Sequence, residues 1–175
     1  MNEVIRNLLT RRSVRKFTDK KIPREELDIL LKVALAAPSG MNKQTWQFTL
    51  VIDEEKIQKL AVAVGKALGR EGYDIYKPAA LIIPSNLRES AWGMEDNACA
   101  LENIFLAAHS LGIGSVWINQ LRHCCDEVEV RAILGEWGIP EEHVVYGIAA
   151  LGYQDGEPLG EVEKKGVINI VDLQQ

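Results

Sequence analysis

Apolar positions along the chain follow two rhythms in alternation, a three-and-four spacing that predicts helices and short, nearly continuous hydrophobic runs that predict strands. Residues 3–10 have helical spacing and end in a basic run. Pro23, with Glu25 and Glu26 behind it, opens a second helix whose buried face is Leu27, Leu30, Leu31, Ala34 and Leu35, and Pro38-Ser39-Gly40 stops it. Trp46 to Ile52 reads as a strand, Asp53 caps a helix through about Leu68, and Ala79 to Ile83 is a short apolar strand closed by Pro84. The longest helical pattern, Met94 to Leu111, puts Leu101, Ile104, Phe105, Ala108 and Leu111 on one face and Ala98, Ala100 and Ala107 elsewhere. Apolar and small residues on more than one face predict a central helix that packs on several sides. Gly112 and Gly114 end it, and a strand at Ser115–Ile118, a helix at Asp126–Leu134, a strand at His143–Leu151 and a last strand at 167–171 follow. Taken alone, this alternation predicts a parallel α/β sheet.

With 175 residues, 47 % of them apolar, the chain can bury one substantial core, so a single domain over 1–175 is expected. A net charge of −5 argues against a nucleic-acid partner, which makes a local basic cluster the exception. No apolar run approaches the roughly 20 residues of a spanning helix, and Met1-Asn2-Glu3 lacks the layout of a secretory leader, so a soluble, cytoplasmic protein with no membrane partner is expected. Three cysteines are too few for a disulfide framework. His123-Cys124-Cys125 offers adjacent ligand types but no second pair to close a tetrahedral site, so no metal centre is expected.

Two segments carry chemistry. Arg11-Arg12-Ser13-Val14-Arg15 places three guanidinium groups and a hydroxyl within five residues, suited to bidentate binding of a phosphate, or else to the negative pole at a helix C-terminus. Pro38 to Trp46 is a turn-forming stretch in which Asn42, Lys43 and Gln44 crowd before Trp46, more polar groups than a structural loop requires. Gly112-Ile113-Gly114 lacks the third glycine of a dinucleotide fingerprint, since Trp117 follows.

RRSVRKF, APSGMNKQTWQF, LENIFLAAHSLGIGSVWI and ALGY, in this order along essentially the whole chain, together resemble the nitroreductase family of FMN-dependent oxidoreductases. The resemblance implies an α+β fold, a central and mostly antiparallel sheet flanked by helices, in an intertwined homodimer with FMN at the subunit interface. This replaces the parallel sheet expected from alternation. It implies that Arg11, Arg12, Ser13 and Arg15 bind the FMN phosphate, ribityl chain and pyrimidine edge, while Pro38, Ser39, Gly40 and Asn42 come from the other subunit. Trp117, Ile118, Asn119 and Gln120 would lie along the isoalloxazine, and Lys164 and Lys165 stand where the family has a late basic residue for the phosphate. A C-terminal strand, 167–171, would be exchanged between subunits.

The implied activity is hydride transfer from NAD(P)H, as co-substrate, through flavin N5 to a small electron-poor acceptor such as a nitroaromatic or quinone, in ping-pong order. The flavin carries this chemistry and no catalytic acid or base is assigned. The alternative is a flavin-binding or flavin-carrier module with little turnover. Three positions depart from the family pattern: Thr45 replaces a proline before the tryptophan, Gln154 follows Gly152-Tyr153 where proline is common, and the late basic residues are lysines. Trp92 and Met94 either line an acceptor pocket or pack between loop and core; His109 reads as a helix-surface residue and His143 as a strand start.

Overall fold

The computed structural model describes residues 1–160 and 162–171. Five α-helices and five strands follow one another in it: α1 (Glu3–Thr10), α2 (Arg24–Leu35), β1 (Trp46–Val51), α3 (Glu54–Ala67), β2 (Ala80–Leu87), α4 (Gly93–Ser110), β3 (Gly114–Ile118), α5 (Val128–Glu136), β4 (His143–Val144) and β5 (Ile148–Gly152). The sheet runs β1-β2-β5-β3, with β4 also paired to β2, and every pairing of these strands is antiparallel. The parallel arrangement that alternation alone favoured is therefore wrong. Continuous apolar runs report burial on both faces, which helices on both sides of an antiparallel sheet produce equally well.

Period-two alternation along the strands divides the core. Leu81, Ile83, Val116, Ile118 and Ala150 face a cluster completed by Ile57, Leu60 and Val64 of α3 and Val130, Ile133 and Leu134 of α5. Ala80, Ile82, Ala149 and Leu151 face the opposite cluster, with Leu27, Leu30 and Ala34 of α2 and Leu101, Ile104, Phe105 and Ala108 of α4.

Two of the five helices open on a capping side chain, Asn2 for α1 and Asp53 for α3. Asp53 accepts the Lys56 N–H at 3.0 Å, as an N-cap does. α4 closes with the Ile113 N–H donated to Ala108 O at 2.8 Å. Other boundaries differ from expectation. Pro84 does not close β2; it lies opposite Phe48, in the interval where β2 pairs with β1 alone, between its β5 partners at 80–82 and its β4 partners at 86–87. A missing N–H is tolerated where no neighbour asks for it. The strand expected over 143–151 is two, β4 and β5, parted at Val145-Tyr146-Gly147. The fifth helix starts at Val128 rather than Asp126, whose carboxylate instead takes Arg88 (2.8 and 3.0 Å) and Arg131 (2.6 Å). Leu35 of the expected apolar face is exposed.

Residues 167–171 form no strand within the chain. Val167, Ile168, Ile170 and Val171 are all solvent-exposed, because this segment has no sheet edge of its own chain beside it. Val4, Ile5, Leu8 and Leu9 of α1 are exposed as well, and no residue of that helix is buried. Among the described residues no helix is long and apolar enough to cross a membrane.

Candidate functional site

After α1 the chain becomes extended and runs alongside the sheet. Val14 N–H donates to Ser115 O at 2.9 Å and Thr18 N–H to Tyr153 O at 2.8 Å, which fixes residues 11–17 beside β3 and the end of β5. Val14 is buried and acts as the anchor, so the arginines on either side are held by the backbone rather than by one another. Arg11 stands 5.8 Å over the Phe105 ring and 4.0 Å from a Glu102 carboxylate oxygen. Arg12 lines a cavity of about 240 Å³ with Thr10, His109, Ser115 and Gln154, and its Nη1 is buried without a hydrogen-bond partner among the described residues. An unpartnered guanidinium nitrogen is costly to bury, and an anion is the ligand that relieves it. Ser13 is half-buried at the same turn of chain, while Arg15 is exposed.

His109, read from sequence as a surface residue of the helix, belongs to this cavity. The Thr10 hydroxyl lies 2.8 Å from Arg6 O and 2.9 Å from His109 Nε2, so it bridges the end of α1 to the imidazole. Burial, then the charge of Arg11, push the His109 pKa below its usual value and keep it neutral at pH 7.

Trp117 projects from β3 toward solvent and packs on Phe105 with ring centroids 6.2 Å apart. Its indole fills the space over Gly147, where a Cβ would lie 2.2 Å from Nε1; no other residue type fits at 147 with the ring in place. Of its neighbours in the chain, Ile118 is a core residue, Asn119 is exposed, and Gln120 is half-buried with a buried Oε1 that has no partner among the described residues. The side chains that face outward from this edge are thus Trp117 and Asn119, with Gln120 turned partly inward.

The 38–46 loop is built elsewhere. Gly40 donates its N–H to Asp96 Oδ1 at 2.8 Å, and its α-carbon rests on the Trp92 ring so closely that a Cβ would meet that ring at 2.5 Å. Met41 (φ 52), Asn42 (φ 56) and Gln44 (φ 49) are all left-handed, a conformation that costs roughly 1 kcal/mol or more per residue with a Cβ. Gln44 N–H to Ser39 Oγ (3.2 Å) and Gln44 Nε2 to Asn42 Oδ1 (2.8 Å) tie the loop to itself. Lys43 Nζ stands 5.2 Å from the Trp92 ring centre, and Pro38 is exposed. Trp92 therefore packs against the loop, and Met94 remains exposed.

Within one chain these two groups lie apart. Asp96 holds the loop and Phe105 lies under Arg11; nine residues separate them along α4, which is about 14 Å of rise and about 180° around the helix. One chain therefore presents the arginine segment on one flank of α4 and the amide-rich loop on the other. Lys164 and Lys165 lie in an exposed segment, Lys165 is 3.7 Å from Glu163, and neither pairs with residues 11–15 among the described residues. Cys124 and Cys125 are buried free thiols, and burial pushes Cys124 up to about 11.

Sequence reasoning did not single out Asp96, Phe105 or Gly147 for the site. Asp96 reads as an acidic residue in a first helical turn, and only its place on the helix face that also carries Ala100 marks it as buried.

A sheet buried on both faces, a cationic extended segment beside its edge strand and an open aromatic face on that strand define an α+β architecture whose sheet edge suits an anionic, planar ligand. Residues 8–153 match the nitroreductase family, and the chain belongs to it. It is 43 % identical to a nitroreductase of Bacteroides fragilis solved with bound FMN, with a TM-score of 0.94 over 98 % of this chain and 100 % of that one. It is also 35 % identical over 163 residues to a protein of Archaeoglobus fulgidus carrying the name NADH dehydrogenase/NAD(P)H nitroreductase, covering 90 % of this chain and 88 % of that one. A protein of the same name from Methanothermobacter thermautotrophicus is 32 % identical over 160 residues, 89 % of this chain and 80 % of that one.

Proposed function

We infer that this chain, an FMN-dependent NAD(P)H oxidoreductase of the nitroreductase family, works as a homodimer that reduces small electron-poor acceptors such as nitroaromatics or quinones in ping-pong order. The observation that carries the reading is the buried Arg12 Nη1, a charge-bearing donor with no protein partner among the described residues, on a side chain that lines the cavity beside β3. The donor set fits FMN: guanidinium groups at 11, 12 and 15 with the Ser13 hydroxyl suit a phosphate and a polar ring edge, and Trp117 offers a flat face.

Bound FMN would supply the hydride-transfer chemistry between NAD(P)H and the acceptor. Arg11 and Arg12 supply positive charge that stabilises an anionic ligand held against β3. Ser13 adds a donor, and the outward segment Trp117 to Gln120 orients the ring. Ser39, Gly40 and Asn42 lie on the opposite flank of α4, which supports their serving the site of the partner subunit. The exposed apolar residues of α1 and of 167–171 are the surface that such a dimer would cover.

Absorbance of the purified protein, followed by anaerobic addition of NADH or NADPH, tests the reading. Bound flavin that bleaches with nucleotide and recovers its colour with a nitroaromatic or quinone is expected. A protein that neither carries nor takes up FMN refutes it; flavin that binds but does not bleach leaves a carrier.

A further inference from the structure

We propose that Asp96 is a positioning residue for the cofactor site, acting through the 38–44 loop that it anchors; this rests on the reading that the loop serves the flavin of the partner subunit. Asp96 is 4 % exposed, in the first turn of α4. A carboxylate at a helix start ordinarily serves the free amides of its own helix, but this one takes the Gly40 N–H at 2.8 Å. One turn earlier, Trp92 presses its ring on the Gly40 α-carbon. Gly40 is thus gripped from two sides by a single turn of the central helix.

The grip falls just before the strained part of the loop. Met41, Asn42 and Gln44 sit in the left-handed region, and such backbone persists only where its surroundings over-determine it. The bonds among Ser39, Asn42 and Gln44 close the loop on itself without fixing it to the body of the protein. Asp96 and Trp92 fix its first half to α4, while the Thr45 hydroxyl, donating to Asn86 Oδ1 at 2.7 Å, fixes its far end to β2, so the direction in which Ser39 and Asn42 point is set from the α4 side. The bond is charge-assisted and mostly shielded from water, which makes it the stronger of the two contacts.

Two variants and two readouts test this. Asp96→Asn keeps an acceptor oxygen for Gly40, whereas Asp96→Ala does not. In Asp96→Ala the dissociation constant for FMN, read from quenching of flavin fluorescence, is expected to rise about tenfold or more. Hydrogen exchange at the Gly40 amide and through residue 44 is expected to speed up in the FMN-free protein, while Asp96→Asn stays within about threefold of wild type on both. Arg11→Ala, in contrast, should weaken FMN binding without altering exchange in the loop. Should Asp96→Ala not fold, Trp92→Leu loosens Gly40 from its other side and should give the same pair of changes. Wild-type exchange in the loop of Asp96→Ala, or an Asp96→Asn protein as impaired as Asp96→Ala, overturns the proposal. If the wild-type protein binds no FMN, the function reading falls, and the exchange readout still decides whether Asp96 orders the loop.

Discussion

Replacing Gly147 with alanine sets one methyl group against the Trp117 indole. The added Cβ would lie 2.2 Å from Nε1 and 3.1 Å from Cδ1 and Cε2. Non-bonded atoms settle at about 3.5–4.0 Å, so the ring must move by roughly 1.5 Å. Two escapes exist. If Trp117 stays, the overpacked contact costs about 1–3 kcal/mol. If it swings into solvent, it loses the tilted packing on Phe105, worth about 0.5–1.5 kcal/mol beyond area, together with its buried apolar surface. Gly147 is not left-handed, so alanine there also restricts the unfolded chain and returns about 0.4–1 kcal/mol. The net expectation is a loss of about 1–2 kcal/mol, or a fall of about 2–8 °C in melting temperature. Urea unfolding at unchanged slope measures it, and indole fluorescence reports which escape was taken. The decisive comparison is the same substitution in a Trp117→Ala background, where it should cost nothing or stabilise slightly. An equal loss with and without Trp117 would refute the steric account.

Arg12→Met should leave the FMN-free protein as stable or more so, since it removes a buried unpartnered donor, while weakening FMN binding by about 1.5–3 kcal/mol; thermal melts with and without FMN separate the two. Mixing Arg12→Met subunits with subunits altered at Asn42, after exchange between dimers, should restore about a quarter of the wild-type FMN capacity, because half of the dimers then hold one intact site; no recovery would place both groups in one subunit's site. His143, whose Nδ1 lies 2.9 Å from the Ser85 hydroxyl, is pushed below its usual pKa chiefly by burial, with Glu142 opposing and Arg131 adding to the effect. The unfolded chain then binds the proton more readily, so stability should be full at pH 7 and fall as pH drops below about 6.5. His109 adds a loss of the same sign, and urea midpoints across pH 7 to 5 should therefore show a shallower slope, not a flat one, in His143→Gln.

Much of the local structure was legible because it depends on near neighbours. The Asp53 cap and the face Leu27, Leu30, Ala34 need only a few residues of context, and each is where spacing and side-chain chemistry put it. Pro84 misled because its effect depends on what lies beside it, and the gap between β5 and β4 is invisible along the chain. For the same reason 143–151 read as one strand although β4 and β5 part at Tyr146. At the site, the arginine segment and the amide-rich loop were both found, but Asp96, His109 and Gly147 were passed over as ordinary helix and strand residues. What makes them matter is a partner 56 residues away for Asp96, 99 for His109 and 30 for Gly147.

The amino-acid sequence by itself determined the rhythm of helices and strands, the acidic balance with one basic exception, and, through four ordered motifs, the family. Those properties are sums over local pattern, and local pattern survives without coordinates. Only the tertiary structure decided which strands pair and in what order, that Arg12 keeps a buried nitrogen unpartnered among the described residues, and that the arginine segment and the 38–46 loop sit on opposite flanks of α4. Strand order, unsatisfied donors and the angle around a helix are relations between distant residues, fixed when the chain packs and not before.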